Sequence, residues 1–264
     1  MALENVDAKT IKEFLDKILN NKPEIRPWLI IKMGPIAAGK STVVNQVYED
    51  VLHLAIKDVV EISLDEFVTK LTNFNEQIRD LWASTTIDRQ SKAEQLYFSA
   101  RAKIEEIQTS ALLQAMLDHK HVSIETTGEN SSWFEETLPK YRSHGYRIAI
   151  IYPYVVPEIL KKRLQERNET QLRKVEWSRV EHAAKQSQKT FVNLIPFADR
   201  ALLVDNSDER VPVLNEKPLQ VIFDVVKNQV ECELPTSCKF VTGMEESLRN
   251  HISDKCTECL LKYH

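Results

Sequence analysis

Trp28-Leu-Ile-Ile-Lys-Met-Gly-Pro-Ile-Ala-Ala-Gly-Lys-Ser-Thr42 is the stretch that decides the fold of this chain. Trp28 to Met33 is an apolar run of strand character. Gly34-Pro35-Ile36-Ala37-Ala38-Gly39-Lys40-Ser41-Thr42 then sets four residues between two glycines and follows the second with Lys and Ser. This is the spacing of a phosphate-binding loop between a strand and a helix. Small, φ-permissive residues let successive backbone N–H groups converge on one concavity, and a helix beginning there adds its positive end. Lys40 is expected to reach the β- and γ-phosphates of a nucleoside triphosphate, and the Ser41 hydroxyl to ligate Mg²⁺. The chain holds only 5 Gly, so two at the positions the loop demands is informative.

Working outward, Val43, Val44, Val47, Val51 and Leu54 predict that the loop opens a helix from Ser41 to about Ala55. Val59-Val-Glu-Ile-Ser63 reads as a short strand running into Leu64-Asp65-Glu66-Phe67. Helical periodicity fills Phe74 to Asp118, broken around Ala83 to Thr86, and His121 to Gly128 supplies a third strand with a polar end. Ser131 or Ser132 is expected to cap the next helix, with Glu135 or Glu136 as capping-box partner. Tyr146 to Tyr152 has the continuous apolar character of a strand buried on both faces. A helix from Pro157 to Asn168, a charged connection over Glu169 to Val180, a further helix and the strand Arg200 to Asp205 complete the pattern. Alternation of this kind predicts an α/β fold, a three-layer doubly wound parallel sheet of the P-loop NTPase, kinase-like type. An amphipathic N-terminal helix over residues 7–20 precedes it, and a small β- and Cys-rich C-terminal extension follows. The expected divisions are 1–24, 25–208 and 209–264.

The 264 residues are 42% hydrophobic and 28% charged, as in a soluble globular protein. No run approaches the roughly 18 apolar residues of a membrane span, and the N-terminus lacks a secretory pattern, so the expected location is cytoplasmic, with no membrane partner. A net charge of -4 argues against a protein that coats nucleic acid.

In an open α/β sheet, ligands sit outside the carboxyl ends of the strands. Asp65 therefore falls on the same rim as Lys40 and is the candidate base for the proton of an acceptor hydroxyl. A helix N-cap is the plainer role for an Asp in that place. Arg163 and Arg167 lie one helical turn apart, with Arg173 and Arg179 following, and arginines closing over a nucleotide neutralise charge on the moving phosphoryl group.

The loop Gly34 to Thr42, Leu64-Asp65-Glu66-Phe67, Ile124-Glu125-Thr126-Thr127-Gly128, and Glu166-Arg167-Asn-Glu169-Thr170 with Arg179 together resemble the zeta-toxin family, P-loop kinases of toxin–antitoxin systems. The resemblance spans roughly Ile25 to Asp208. It implies that Lys40 contacts phosphates, Asp65 is the base, and Arg167 and Arg179 are lid arginines. By the same resemblance, Glu125, Thr126 and Thr127 meet the acceptor, which in characterised members of that family is the sugar nucleotide UDP-N-acetylglucosamine, other acceptors being open for its relatives, and a proteinaceous inhibitor is an expected partner. The chain departs from the family at Thr126, where a glycine is usual, and at Glu129-Asn130, where a basic residue is usual.

All 4 cysteines, Cys232, Cys238, Cys256 and Cys259, fall in the last 33 residues. Four thiolates suit tetrahedral Zn²⁺, and Cys256-Thr-Glu-Cys259 has knuckle spacing; the alternatives are unligated thiols and disulfides. The expected activity is transfer of the γ-phosphate of ATP or GTP to a hydroxyl of a small molecule. A polynucleotide 5′-hydroxyl kinase and a non-catalytic NTP-binding interaction module are the alternatives.

Overall fold

The computed structural model describes residues 21–61, 63–69, 71, 73–171, 174–207, 221–226 and 229–231, together with Lys12 and Asp16. Lys12 and Asp16 are helical; the rest of the expected N-terminal helix and the four cysteines lie outside the described residues. Trp28–Met33 forms β1, and Val59–Glu61, His121–Thr126, Arg147–Tyr154 and Arg200–Asp205 form β2 to β5. They lie in the order β2-β3-β1-β4-β5, parallel throughout. Two antiparallel strands, β6 (Val221–Val226) and β7 (Gln229–Glu231), continue the same sheet beyond β5.

The helices are α1 (Lys40–Gln46), α2 (Leu64–Val68), α3 (Phe74–Ala83), α4 (Arg89–Leu117), α5 (Ser131–Ser143), α6 (Pro157–Thr170) and α7 (Trp177–Leu194). Side-chain alternation sorts them onto two faces. Leu29, Ile31 and Met33 of β1, with Ile148, Ile150 and Tyr152 of β4, pack against Ile78, Ala100, Ile104, Phe134 and Phe191 from α3, α4, α5 and α7. Trp28 and Ile30 turn the other way, with Ala149, Ile151, Leu202 and Val204, onto Val43 and Val44 of α1. A third cluster joins Ala38 of the loop to Leu160 and Leu164 of α6, Val175, and Val180 of α7. That cluster fixes α6 and the start of α7 beside the phosphate loop.

The structure departs from the sequence-based expectation at several boundaries. The helix after the loop is shorter, because α1 gives way at Val47–Val51 to a π-helical turn closed by Leu52 N–H donating to Val47 O at 3.0 Å. The widened turn carries Tyr48 inward, where its hydroxyl donates to Ser123 Oγ at 2.7 Å. Asn130, rather than Ser131 or Ser132, caps α5: its Oδ1 accepts from Trp133 N at 3.3 Å and from Ser132 Oγ at 2.7 Å. Asn in the extended conformation is as good an acceptor there as Ser. The connection between α6 and α7 is shorter than expected, so Arg179 sits in the first turn of α7 rather than in the connection, while Arg167 sits in the last turn of α6 as expected.

Candidate active site

The order β2-β3-β1-β4-β5 puts β1 where successive connections leave toward opposite sides, and the crevice beyond its carboxyl end is the ligand position in such sheets. Gly34 to Gly39 occupies it. Gly34 N–H donates to Thr126 O at 3.2 Å and Ala38 N–H to Pro35 O at 3.3 Å, while Thr42 and Val43 N–H both donate to Gly39 O at 3.1 Å, starting α1. Gly39 has φ +77°, and a Cβ there would lie 2.3 Å from Asn206 Nδ2. Only glycine meets both demands without strain. Asn206 follows β5 directly, is buried, and donates from Nδ2 to Ala38 O at 2.8 Å. It holds the far side of the loop, and sequence reading did not single it out; a polar residue just after the last parallel strand was the available signal.

Lys40 is buried, and its Nζ donates to Gly34 O and Pro35 O, each at 3.0 Å. The same ammonium is 3.6 Å from Glu125 Oε1. The Ser41 side chain is exposed at the opening turn of α1. Pro35, Ala37 and Thr42 complete the loop, with Ala37 in the left-handed region at φ +67°.

Beside Lys40, the end of β3 supplies the three residues expected to meet an acceptor. Glu125 lies between two lysines, Lys40 and Lys32, the latter at 3.7 Å from Oε2. Thr126 and Thr127 are occupied in shaping the turn: Gly128 N–H donates to Thr126 Oγ1 at 3.1 Å, and Thr127 Oγ1 donates to Glu129 Oε2 at 2.8 Å. Gly128, at φ +77°, leaves no room for a side chain, since a Cβ would come within 2.5 Å of Met33 Cγ. Glu129 also holds Arg179, with NH1 to Oε1 at 3.0 Å. Asp65 lies in α2 immediately beyond β2, on the same rim; its side chain falls outside the described residues, as does Arg173.

Helix α6 spans from the loop to a second cavity. Arg163 NH1 lies 3.8 Å from the position a Gly39 Cβ would take. One turn further, Arg167 lines a cleft of ≈ 590 Å³ whose walls include Val68, Thr69, Phe74, Ile78, Trp82, Tyr97, Arg167, Lys174 and Arg179. The cleft thus runs between the α2–α4 arm and the α6–α7 connection. Lys174 Nζ stands 4.9 Å from the centre of the Trp82 ring, a cation–π contact across the opening. The connection is pinned by Asn168, which donates to Val175 O at 2.8 Å and accepts from Val175 N at 2.9 Å, and by Gln90 Nε2 donating to Glu176 Oε1 at 2.9 Å. Among the described residues, no group of three or more His, Cys, Asp or Glu side chains could hold a metal, and no helix is long and apolar enough to cross a membrane.

A parallel sheet in this order, with a phosphate loop on its central strand and a cleft beside it, defines the class: a P-loop kinase, a phosphotransferase. The chain belongs to the zeta toxin family, whose sequence pattern matches residues 12–216. Among solved structures it is similar to one from the PezAT chromosomal toxin–antitoxin system of the human pathogen Streptococcus pneumoniae. The TM-score is 0.63 at 12% identity, over 96% of this chain and 98% of that one. It is also similar to the AvrRxo1-ORF1:AvrRxo1-ORF2 complex with sulphate ions, with a TM-score of 0.52 at 10% identity over 97% and 84% of the two chains. The AvrRxo1 complex solved with ATP matches with a TM-score of 0.50 at 9% identity, over 85% and 69%. No curated protein matches the chain.

Proposed function

We propose that this protein transfers the γ-phosphate of ATP to a hydroxyl of a small molecule bound in the ≈ 590 Å³ cleft, a sugar nucleotide such as UDP-N-acetylglucosamine being the first acceptor to test. One observation carries the reading: α6 bears Arg163 against the phosphate loop and Arg167, a turn on, in the wall of an aromatic-lined cleft. Arg163 and Arg167 are four residues apart, about 6 Å along the axis, so one helix faces both the loop and the cleft. A cleft of this volume suits a small molecule better than a polynucleotide, which needs an open basic groove. The ATP-bound AvrRxo1 relative supports ATP as the donor, and the toxin–antitoxin origin of the PezAT relative supports a proteinaceous inhibitor.

Phosphoryl transfer asks the protein chiefly for position and charge. In this mechanism the N–H groups from Gly34 to Thr42 hold the phosphates and Lys40 leaves the Gly34 and Pro35 carbonyls for the β- and γ-phosphates. Asp65 takes the acceptor proton as its oxygen attacks phosphorus, and the bond to the β-phosphate oxygen breaks. Arg167 and Arg179 balance the charge that spreads over the moving phosphoryl group. The exposed hydroxyl of Ser41 is a hard oxygen donor, as Mg²⁺ prefers, and few protein ligands are needed because phosphates and water complete its shell. Bound there, Mg²⁺ would neutralise charge between the β- and γ-phosphates. Zinc on the four cysteines is a separate proposal that metal analysis of the purified protein answers.

Incubation with ATP, Mg²⁺ and a metabolite extract, read by mass spectrometry, should yield a product heavier by one phosphoryl group, and Asp65→Asn should abolish it. Full transfer by Asp65→Asn would remove Asp65 as the base. ATP binding with no phosphorylated product would favour a non-catalytic module.

A further inference from the structure

Lys32 has no role in the mechanism above, yet it is a fully buried cation close to the loop. It lies in β1, two residues before Gly34, and is 0% exposed. Its neighbours on the same face of the strand are Trp28 and Ile30, so an aliphatic residue would fit the pattern. Taking an ammonium wholly out of water is costly unless good partners meet it. Here the ammonium bonds to Glu61 at the end of β2 and faces Glu125, its direct partner in the β1–β3 pairing, at 3.7 Å. Glu125 in turn reaches Lys40 at 3.6 Å through its other oxygen. Four charges therefore alternate in sign from the sheet to the loop: Glu61, Lys32, Glu125, Lys40. Tyr48 sits on the same side, and burial, then the charges of Glu61 and Glu125, push its phenol far above the ordinary range, so it stays a neutral donor to Ser123.

The two lysines differ in what they can do. Lys40 opens α1 at the rim, within reach of the concavity; Lys32 is held in the middle of a sheet and cannot follow. When Lys40 turns to nucleotide phosphates, Glu125 loses that cation just as more negative charge arrives beside it. We infer that Lys32 is a positioning residue, the standing counter-ion of Glu125 that allows Lys40 to pass from Glu125 to the phosphates. The inference rests on Gly34 to Thr42 being a nucleotide site, as proposed above. Glu61 balances the other side of Lys32, which keeps Lys32 neutralised before and after the handover.

Single removal of Lys32 would leave two carboxylates facing each other, so the pair is best removed together. Lys32 is buried while the Glu61 side chain is 37% exposed, and replacing a desolvated ion pair by uncharged residues of similar volume is often neutral for stability. The test compares wild type, Lys32→Met/Glu61→Leu, the polar counterpart Lys32→Gln/Glu61→Gln, and each double variant with Glu125→Gln added. Binding of Mg·ATP is followed by calorimetry, with melting temperature as the check on folding. Both double variants should bind ATP about tenfold more weakly than wild type, because Lys40 is now the cation left to Glu125. Adding Glu125→Gln should restore affinity to within about threefold, since the carboxylate that competes with the phosphates for Lys40 is then gone. Should one double variant fail to fold, the other still decides. Wild-type affinity in a folded double variant would make the pair a packing device and overturn the inference, as would weakened binding that Glu125→Gln does not restore. If the wild type binds no ATP, the nucleotide reading itself falls and takes this inference with it.

Discussion

The two sides of the active-site crevice are built on different principles. On the loop side the shape is set by main chain braced by two side chains: Gly39 is fixed at φ +77°, Asn206 Nδ2 donates to Ala38 O, and buried Lys40 donates to the Gly34 and Pro35 carbonyls. On the cleft side the walls are side chains from separate segments, Trp82 and Tyr97 opposite Arg167, Lys174 and Arg179. Under the proposed function the loop side binds a group common to all nucleoside triphosphates, for which one rigid loop suffices. Under the same proposal the cleft side would discriminate among acceptors, and its contacts are partly exposed; the Arg179 side chain in the Glu129 pair is 58% exposed.

Variants that touch one side and spare the other test whether this division is real. Lys40→Met should reduce phosphotransfer by about 10³-fold or more while leaving the fold intact, because the proposed mechanism relies on that ammonium at the phosphates. A loss under tenfold, measured as ADP formation, would show that the donor side does not depend on it. Trp82→Ala should act on the opposite side alone: about tenfold in KM for the acceptor, with KM for ATP unchanged, from loss of an aromatic wall and its Lys174 contact. Equal changes in both KM values would mean that the cleft and loop are not separate sites. Glu129→Gln should matter least to the reaction, under about threefold in acceptor KM, since the Arg179 pair is exposed and weak. Whatever effect it has should fade on raising salt, which screens exposed charges.

The sheet beneath both sides supplies a control. His121 Nδ1 accepts from Trp28 N at 2.9 Å, joining β3 to β1 at the edge remote from the crevice. Burial above all holds its pKa below 6.5; Arg147 lowers it further, while Glu24 and Asp58 oppose. The unfolded chain therefore binds a proton that the folded one resists as pH falls below the ordinary histidine value. This contribution to stability is present above about pH 6.5 and is lost on acidification toward the folded-state pKa. Melting curves at pH 7.5 and 5.5 should show a decline of a few degrees that is smaller in His121→Gln, with ATP affinity at pH 7.5 unchanged. A steeper decline in the variant would reverse the sign and refute the assignment.

How much of this was legible in advance follows the same division. The strand β1, the loop and the later parallel strands were readable because apolar runs and glycine spacing are local signals. Asn130 as the cap of α5 was missed because two serines beside it are equally good caps, and only the backbone decides which residue is extended. The π-helical turn at Val47–Val51 has no sequence signature distinct from a helix, although it is what carries Tyr48 to Ser123. Asn206 and the Lys32–Glu61 contact were invisible for a stronger reason: each depends on strands remote in sequence becoming neighbours.

The sequence by itself determined that a phosphate loop joins a strand to a helix in an α/β sheet, because loop geometry needs particular residues at fixed spacing along one segment. Tertiary structure alone decided what surrounds that loop. The order β2-β3-β1-β4-β5 brings Glu61, Lys32 and Glu125 into one charged row with Lys40, and the packing of α6 on Ala38 sets Arg163 at the loop and Arg167 in the cleft. Charge interactions act through space and are indifferent to chain separation, so no spacing rule along the chain encodes them.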